Sequence, residues 1–330
     1  MNAHLYVQLC EPRFLYDAWL RVARKKGASG VDSQSINSFA FSAEKNILKI
    51  SKALRDETYA PSPLRSVQIP KERPGAFRRL GIPTIQDRVV FQGVNVLLQK
   101  NWTPRFSPLS FAYRPGVGVY DAIEAIIELV KAGKCWFIKG DIRGCFDELN
   151  WDILSFALQE WLPDEPLRRL IQKALRVPTV QGGRIIPRRK GVPQGSPLSP
   201  ILANLYLHPF DYEMLSRRFP LIRYGDDWIA LSDSENAAVE AFQIAAASLF
   251  QLRIDINSEK SGIGNLEEEY IVFLGHKIDS TSIDACAKGW KRFAQALGKL
   301  ENARTPEDAA RARALLGSLK SFYRNAGRIG

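Results

Sequence analysis

The residues best placed to do chemistry in this chain are acids. Asp226 and Asp227 stand together at the centre of Leu221-Ile-Arg-Tyr-Gly-Asp-Asp-Trp-Ile-Ala-Leu231. Apolar runs on either side of a turn-forming Gly-Asp read as a β-hairpin whose tip presents both carboxylates. Adjacent carboxylates repel unless a cation neutralises them, and ligands made only of oxygen suit Mg²⁺. An isolated Gly-Asp-Asp is usually no more than a solvated turn, so the chemistry depends on a third carboxylate. Asp141 is the candidate: it ends the strand-like run Cys135-Trp-Phe-Ile-Lys-Gly-Asp141 and precedes Ile142-Arg-Gly-Cys-Phe146. Read alone, an acid in that place caps a turn.

Other chemistries have few residues to work with. The only histidines are His4, His208 and His276, and Cys10, Cys135, Cys145 and Cys286 are too far apart for a Cys-x2-Cys zinc pattern. Zinc and a histidine-based nucleophile are therefore disfavoured, and any metal chemistry rests on carboxylates. The thiols read as reduced, in a cytoplasmic setting without disulfides. Glu11, Pro12 and Arg13 interrupt the apolar N-terminus, which argues against a signal peptide. No apolar run reaches the roughly 18 residues of a membrane span. With 45% apolar and 25% charged residues, a chain of 330 residues has the composition of a globular protein of two or three domain-sized units. Its formal charge of +11 points to a polyanionic partner, either nucleic acid or an anionic membrane surface.

The elements that must position the acids follow from spacing. Residues 1–60 look helical, with Leu15, Ala18, Trp19, Val22 and Ala23 on one face, before the basic turn Lys25-Lys-Gly-Ala-Ser-Gly-Val-Asp32. Ile69-Pro-Lys-Glu-Arg-Pro-Gly-Ala-Phe-Arg-Arg-Leu-Gly-Ile-Pro83 reads as two short strands joined by a Pro-Gly turn. Amphipathic helices are expected over Thr84–Leu98 and Tyr120–Val130, the second turning Ala122, Ile123, Ile126, Ile127 and Val130 inward. After a linking region, Gln194-Gly195 leads into a helix started by proline, whose exposed amides suit a nucleotide or template backbone. An alanine-rich helix over Glu235–Gln251 and a strand over Leu252-Arg-Ile-Asp-Ile256 come next. From Lys288 onward ten Lys and Arg stand against Glu301, Glu307 and Asp308, a net of +7 that suits gripping a duplex.

Taken together, Asp-x4-Phe at 141–146 and Tyr-x-Asp-Asp at 224–227 resemble the palm of reverse transcriptases. The long Pro-Gln-Gly-Ser-x-x-Ser-Pro run at 193–200 is specific to reverse transcriptases, and Lys25-Lys-Gly-Ala-Ser-Gly-Val-Asp32 is similar to the loop opening the fingers of the group II intron-like type, a bacterial group that includes CRISPR-associated enzymes. Ser110-Phe-Ala-Tyr-Arg-Pro115, Asn257-x-x-Lys-Ser261 and Phe273-Leu-Gly275 agree with it, and the likeness covers about residues 10–285. It implies an α+β right-hand polymerase. Fingers with an N-terminal extension would span 1–115, a palm of antiparallel sheet on helices 116–284 with an insertion around 161–190, and a partial helical thumb 285–330.

The activity implied is RNA-directed DNA synthesis from a DNA or RNA primer with dNTPs, using two Mg²⁺ ions, with Mn²⁺ as a substitute and DNA as a further template. The resemblance makes Asp141, Asp226 and Asp227 catalytic metal ligands, joined by the backbone carbonyl of Ile142. Lys71 and Arg78 would grip the triphosphate, Phe146 would exclude a 2′-hydroxyl, and Gln194 and Gly195 would line the nucleotide and template pocket. Lys260 is the candidate proton donor to pyrophosphate, and Phe273, Leu274 and Gly275 the primer grip. One departure is Arg78-Arg79-Leu80-Gly81-Ile82-Pro83, where the family commonly reads Arg-Pro-Leu-Gly-Ile-Pro. An RNA-dependent RNA polymerase also uses Gly-Asp-Asp, but such enzymes usually place a small or acidic residue at the position of Phe146. A non-catalytic, maturase-like RNA-binding module would gain nothing from clustered acids. The pathway stays open between a group II intron-like element, CRISPR adaptation with a Cas1-type integrase as partner, and antiviral defence.

Overall fold

The computed structural model describes residues 5–25, 27–70, 75 and 77–285. Lys71 and the basic tail expected to form a thumb lie outside them. In chain order the elements begin with α1 (Leu5–Cys10), α2 (Pro12–Arg24), α3 (Ile36–Phe41), α4 (Ala43–Arg55), β1 (Leu64–Pro70), β2 (Phe77–Ile82) and α5 (Ile85–Trp102). Then come α6 (Val119–Lys131), β3 (Trp136–Asp141), α7 (Cys145–Glu148), α8 (Trp151–Trp161), α9 (Glu165–Arg176), β4 (Thr179–Gln181) and β5 (Arg184–Ile186). The last third holds α10 (Ser199–Ser216), β6 (Leu221–Tyr224), β7 (Asp227–Ser232), α11 (Glu235–Gln251), β8 (Gly262–Asn265), β9 (Ile271–Phe273), β10 (His276–Ile278) and β11 (Ile283–Ala285). Among the described residues the chain visits two compact units in alternation: one takes those up to 106, 144–208 and 251–254, the other 107–143, 209–250 and 255–285.

The first unit is built around α5. Thr84 caps it, accepting from the Asp87 amide at 3.1 Å, while the Asp87 carboxylate accepts from the hydroxyls of Thr84 and Tyr59 and from the Ser62 amide. The pattern of α5 predicts an amphipathic helix, yet the structure buries it nearly all round. Val89, Val90, Phe91, Val94, Leu97 and Leu98 are in the core, and so are Asp87, Arg88 and Gln92. Its polar face can be buried because partners come from elsewhere: Arg88 donates to the carbonyls of Pro83 and Ala28, and the latter bond pins the glycine-rich turn. A four-stranded sheet in the order β2-β1-β4-β5 completes this unit.

The second unit carries an antiparallel sheet in the order β6-β7-β3-β8. The five α6 residues predicted to point inward pack on Phe137, Ile222, Ile229 and Leu231, each full burial contributing roughly 2 kcal/mol. On β3, Gly140 pairs with Trp228 of β7, and a Cβ at Gly140 would lie 2.1 Å from the indole ring. A smaller antiparallel sheet runs β11-β10-β9. No strand forms over 252–256: Arg253 takes a left-handed conformation, φ 53°, which breaks the extended run, and only Ile256 bridges to Ile142.

Candidate active site

The acids meet at one end of the second unit's sheet. Tyr224 pairs with Asp227, leaving Gly225 and Asp226 as a two-residue turn. Gly225 sits at φ +73° and Asp226 keeps a negative φ, the pattern of a type II′ hairpin. β3 lies on the other side of β7 with Asp141 opposite Asp227, so the last residue of β3 reaches the same end as the tip. The Ile142 amide donates to the Asp226 carbonyl at 3.2 Å. Asp141 is 8% exposed, and its carboxylate accepts from the Asn257 side-chain amide at 3.0 Å and from Lys260 Nζ at 3.1 Å. The Asn257 amide also donates to the Asp141 carbonyl at 2.8 Å, and the Asp141 amide to Ser261 Oγ at 3.2 Å.

This arrangement is electrostatically unbalanced. Burial, and then the charges of Asp226 and Asp141, push the Asp227 carboxyl above its ordinary range, with Lys139 and Lys260 only partly opposing them. Among the described residues no three acidic, histidine or cysteine side chains form a ready metal cage. The Lys260 ammonium instead sits on one oxygen of Asp141, a cation already drawn to the cluster. The donor set fits a hard divalent cation by its chemistry: oxygen ligands whose mutual repulsion such an ion relieves.

Phe146, Gln194, Gly195 and Arg78 belong to the first unit. Phe146 is half-buried on the short α7, and its carbonyl accepts from the Val192 amide at 2.6 Å. Gly191, at φ +76°, packs where a Cβ would come within 2.5 Å of the Asp147 carbonyl, so the Pro-Gln-Gly loop lies directly on α7. Gln194 donates from its side-chain amide to Asp147 Oδ2 at 3.0 Å and accepts from the Gly81 amide through its carbonyl at 2.8 Å. A cavity of about 70 Å³ there is lined by Arg79, Gly81, Asp147, Arg188 and Gln194 among others. Arg78 is exposed on β2, opposite Ile69. In the second unit Phe273 is a core residue, 1% exposed, while Leu274 and Gly275 form a tight turn with φ of 49° and 87°. That tip, rather than the Phe273 side chain, is available to a ligand.

Sequence reasoning missed the roles of Asn257, Ser261 and Asp147 as holders of Asp141 and Gln194. Asn257 and Ser261 were visible as the outer members of Asn-x-x-Lys-Ser. It also missed a buried pair, Arg223 and Asp211, whose one sign was a charge inside the apolar run Leu-Ile-Arg-Tyr.

The fold is that of a right-hand nucleic-acid polymerase, α+β, with acids at the end of an antiparallel sheet. Residues 69–278 match the family described as reverse transcriptase (RNA-dependent DNA polymerase), and the chain belongs to that family. It is 34% identical over 225 residues to the group II intron-encoded protein LtrA of Lactococcus lactis subsp. cremoris, a match covering 68% of this chain and 37% of LtrA. It thus spans little more than a third of that relative. To protein YkfC of Escherichia coli K12 it is 27% identical over 314 residues, covering 82% of this chain and 81% of the other. Among solved structures, telomerase from Candida albicans shares the fold with a TM-score of 0.59 at 13% identity, over 88% of this chain and 60% of that one.

Proposed function

We propose that this chain is an RNA-directed DNA polymerase extending a primer with dNTPs. The observation that carries the reading is the register of β3 on β7, which sets Asp141 against Asp227 beside Asp226 at one end of the sheet. The family match over residues 69–278 supports it. In this reading Asp141, Asp226 and Asp227, with the Ile142 carbonyl, hold two Mg²⁺ ions, for which Mn²⁺ substitutes. Such ions, when bound, acidify the primer 3′-hydroxyl and offset charge on the triphosphate and leaving pyrophosphate.

The chain's own residues do the rest. Asn257 and Ser261 orient Asp141, and Lys260, held on the same carboxylate, is the proton source for pyrophosphate. Lys71 and Arg78 grip the triphosphate as a point charge and a planar fork. Gln194, its amide turned by Asp147, lines the nucleotide pocket with Gly195, and Phe146 leaves no room for a 2′-hydroxyl. The Leu274-Gly275 tip holds the primer end, with Phe273 as its buried anchor. Residues 1–115 serve as fingers with an N-terminal extension, 116–284 as palm with an insertion around 161–190, and 285–330 as a partial thumb. Likeness to LtrA favours a group II intron-like lineage over CRISPR adaptation or phage defence; a Cas1-type partner belongs to the CRISPR alternative and is sought by co-purification.

The test is primer extension on an RNA template annealed to a DNA primer, with Mg²⁺ and either dNTPs or NTPs. The expected outcome is extension with dNTPs alone, abolished in Asp226→Ala, with NTP use appearing in Phe146→Val. Incorporation of NTPs by the unaltered chain reassigns it as an RNA polymerase. Tight RNA binding without extension reassigns it as a binding module.

A further inference from the structure

We infer that Arg223 locks the peptide between Gly225 and Asp226 in one of two orientations and is thereby a positioning residue for the acidic tip. The inference rests on the assignment of Asp226 and Asp227 as metal-holding acids. Arg223 lies on β6, two residues before the turn, with a side chain that is 0% exposed. Its Nε and Nη2 donate to the two carboxylate oxygens of Asp211 on α10, each at 2.6 Å. Nη2 also donates to Ser110 Oγ at 2.8 Å, and Nη1 donates to the Gly225 carbonyl at 3.1 Å. The backbone is gripped as firmly: the Arg223 amide donates to the Leu109 carbonyl and the Arg223 carbonyl accepts from the Phe111 amide, both at 2.9 Å.

Stability alone does not account for such a pair. Taking two ions out of water costs about as much as their attraction returns, and apolar side chains of similar volume often serve equally well. What an apolar pair cannot do is donate to Gly225. That carbonyl belongs to the central peptide of the turn, whose flip converts type II′ into type I′. Type I′ requires a positive φ at Asp226, which aspartate tolerates better than most residues. The alternative is therefore accessible, and it re-aims the Asp226 side chain. The following peptide is already tied, through the Ile142 amide on the Asp226 carbonyl. With Arg223 in place both peptides flanking Asp226 are fixed, and its carboxylate is aimed from a backbone with one conformation.

The double variant Arg223→Met/Asp211→Leu fills the site with apolar side chains and removes the donor to Gly225; Arg223→Lys keeps the charge without the fork. Three readouts on the full chain separate the roles: thermal melting, Mn²⁺ affinity by electron paramagnetic resonance without nucleic acid, and primer extension resolved into kcat and KM. The double variant is expected to melt near the unaltered chain, with Mn²⁺ affinity and kcat each lowered about 10- to 100-fold and KM for dNTP little changed. Arg223→Lys should fall between. A folded double variant with undiminished Mn²⁺ affinity and kcat overturns the inference. So does one that cannot fold, since the pair is then a determinant of the fold. A chain that binds Mn²⁺ but extends no primer sinks the polymerase reading, while the Mn²⁺ comparison still decides the role of Arg223. A chain that does neither removes both.

Discussion

Asp227 is where the conflict of charge in the site is sharpest. Because burial and two neighbouring acids raise its carboxyl, the folded chain holds a proton there more readily than the unfolded chain does. The stability this group contributes is full below the unfolded value of about 3.9 and is lost as pH rises through the raised folded value. As pH rises toward neutrality the metal-free protein carries a growing share of that penalty. Asp227→Asn should therefore melt higher than the unaltered chain near neutral pH without metal, the gap closing as pH falls toward about 4. Adding Mg²⁺ should reverse the order, stabilising the unaltered chain by mass action and hardly moving the variant. A variant that melts lower without metal contradicts this account. Lys260 works in the opposite sense. Its pair with Asp141 leaves the lysine side chain 63% exposed, so Lys260→Ala should cost at most about 1 kcal/mol in a denaturant melt. Its loss as proton donor should nonetheless lower kcat about 100-fold or more, and an unchanged kcat removes it from the chemistry.

Among the elements, β3 and α5 set the tolerances. A methyl group at Gly140 has no room against Trp228, so Gly140→Ala should destabilise by about 1–3 kcal/mol or more, read from denaturant unfolding. Asp87→Ala strips the acceptor from the Tyr59 and Thr84 hydroxyls and the Ser62 amide. It should cost about 2–4 kcal/mol through buried donors left unmade. The α6 helix was legible in the sequence because it buries one face, and the pattern of its own residues records that; the β6–β7 hairpin was legible because its two strands, buried on both faces, are continuous apolar runs around a Gly-Asp turn. The burial of α5 was not, since the groups that satisfy Asp87 and Arg88 come from Tyr59, Ser62, Pro83 and Ala28, and pairing across such distances leaves no local trace. Leu252-Arg-Ile-Asp-Ile256 misled for the converse reason: its alternation imitates a strand, while one left-handed residue, Arg253, decides otherwise. At the site the acids could be read from type and spacing. The Asp211–Arg223 pair, joining a helix to a strand, could not.

For the whole molecule, the net charge of +11 governs its dealings with nucleic acid. Affinity for an RNA–DNA hybrid should fall at least about 1,000-fold between about 50 and 200 mM salt if six or more phosphates are neutralised. Replacing Lys288, Lys291 and Arg292 by Gln should flatten the log–log slope by about 0.9 for each phosphate that the variant no longer neutralises; an unchanged slope, measured by filter binding, excludes that tail from the duplex. The seating of Gly140 on Trp228 has a consequence for redesign. Because a steric key fixes how β3 lies along β7, the facing of Asp141 and Asp227 does not depend on the two acids favouring it, and they would repel one another if free. The strand pair is in effect a chassis whose end positions can be refitted. Exchanging those acids for softer ligands such as His or Cys would alter metal preference while leaving the frame that carries them in register.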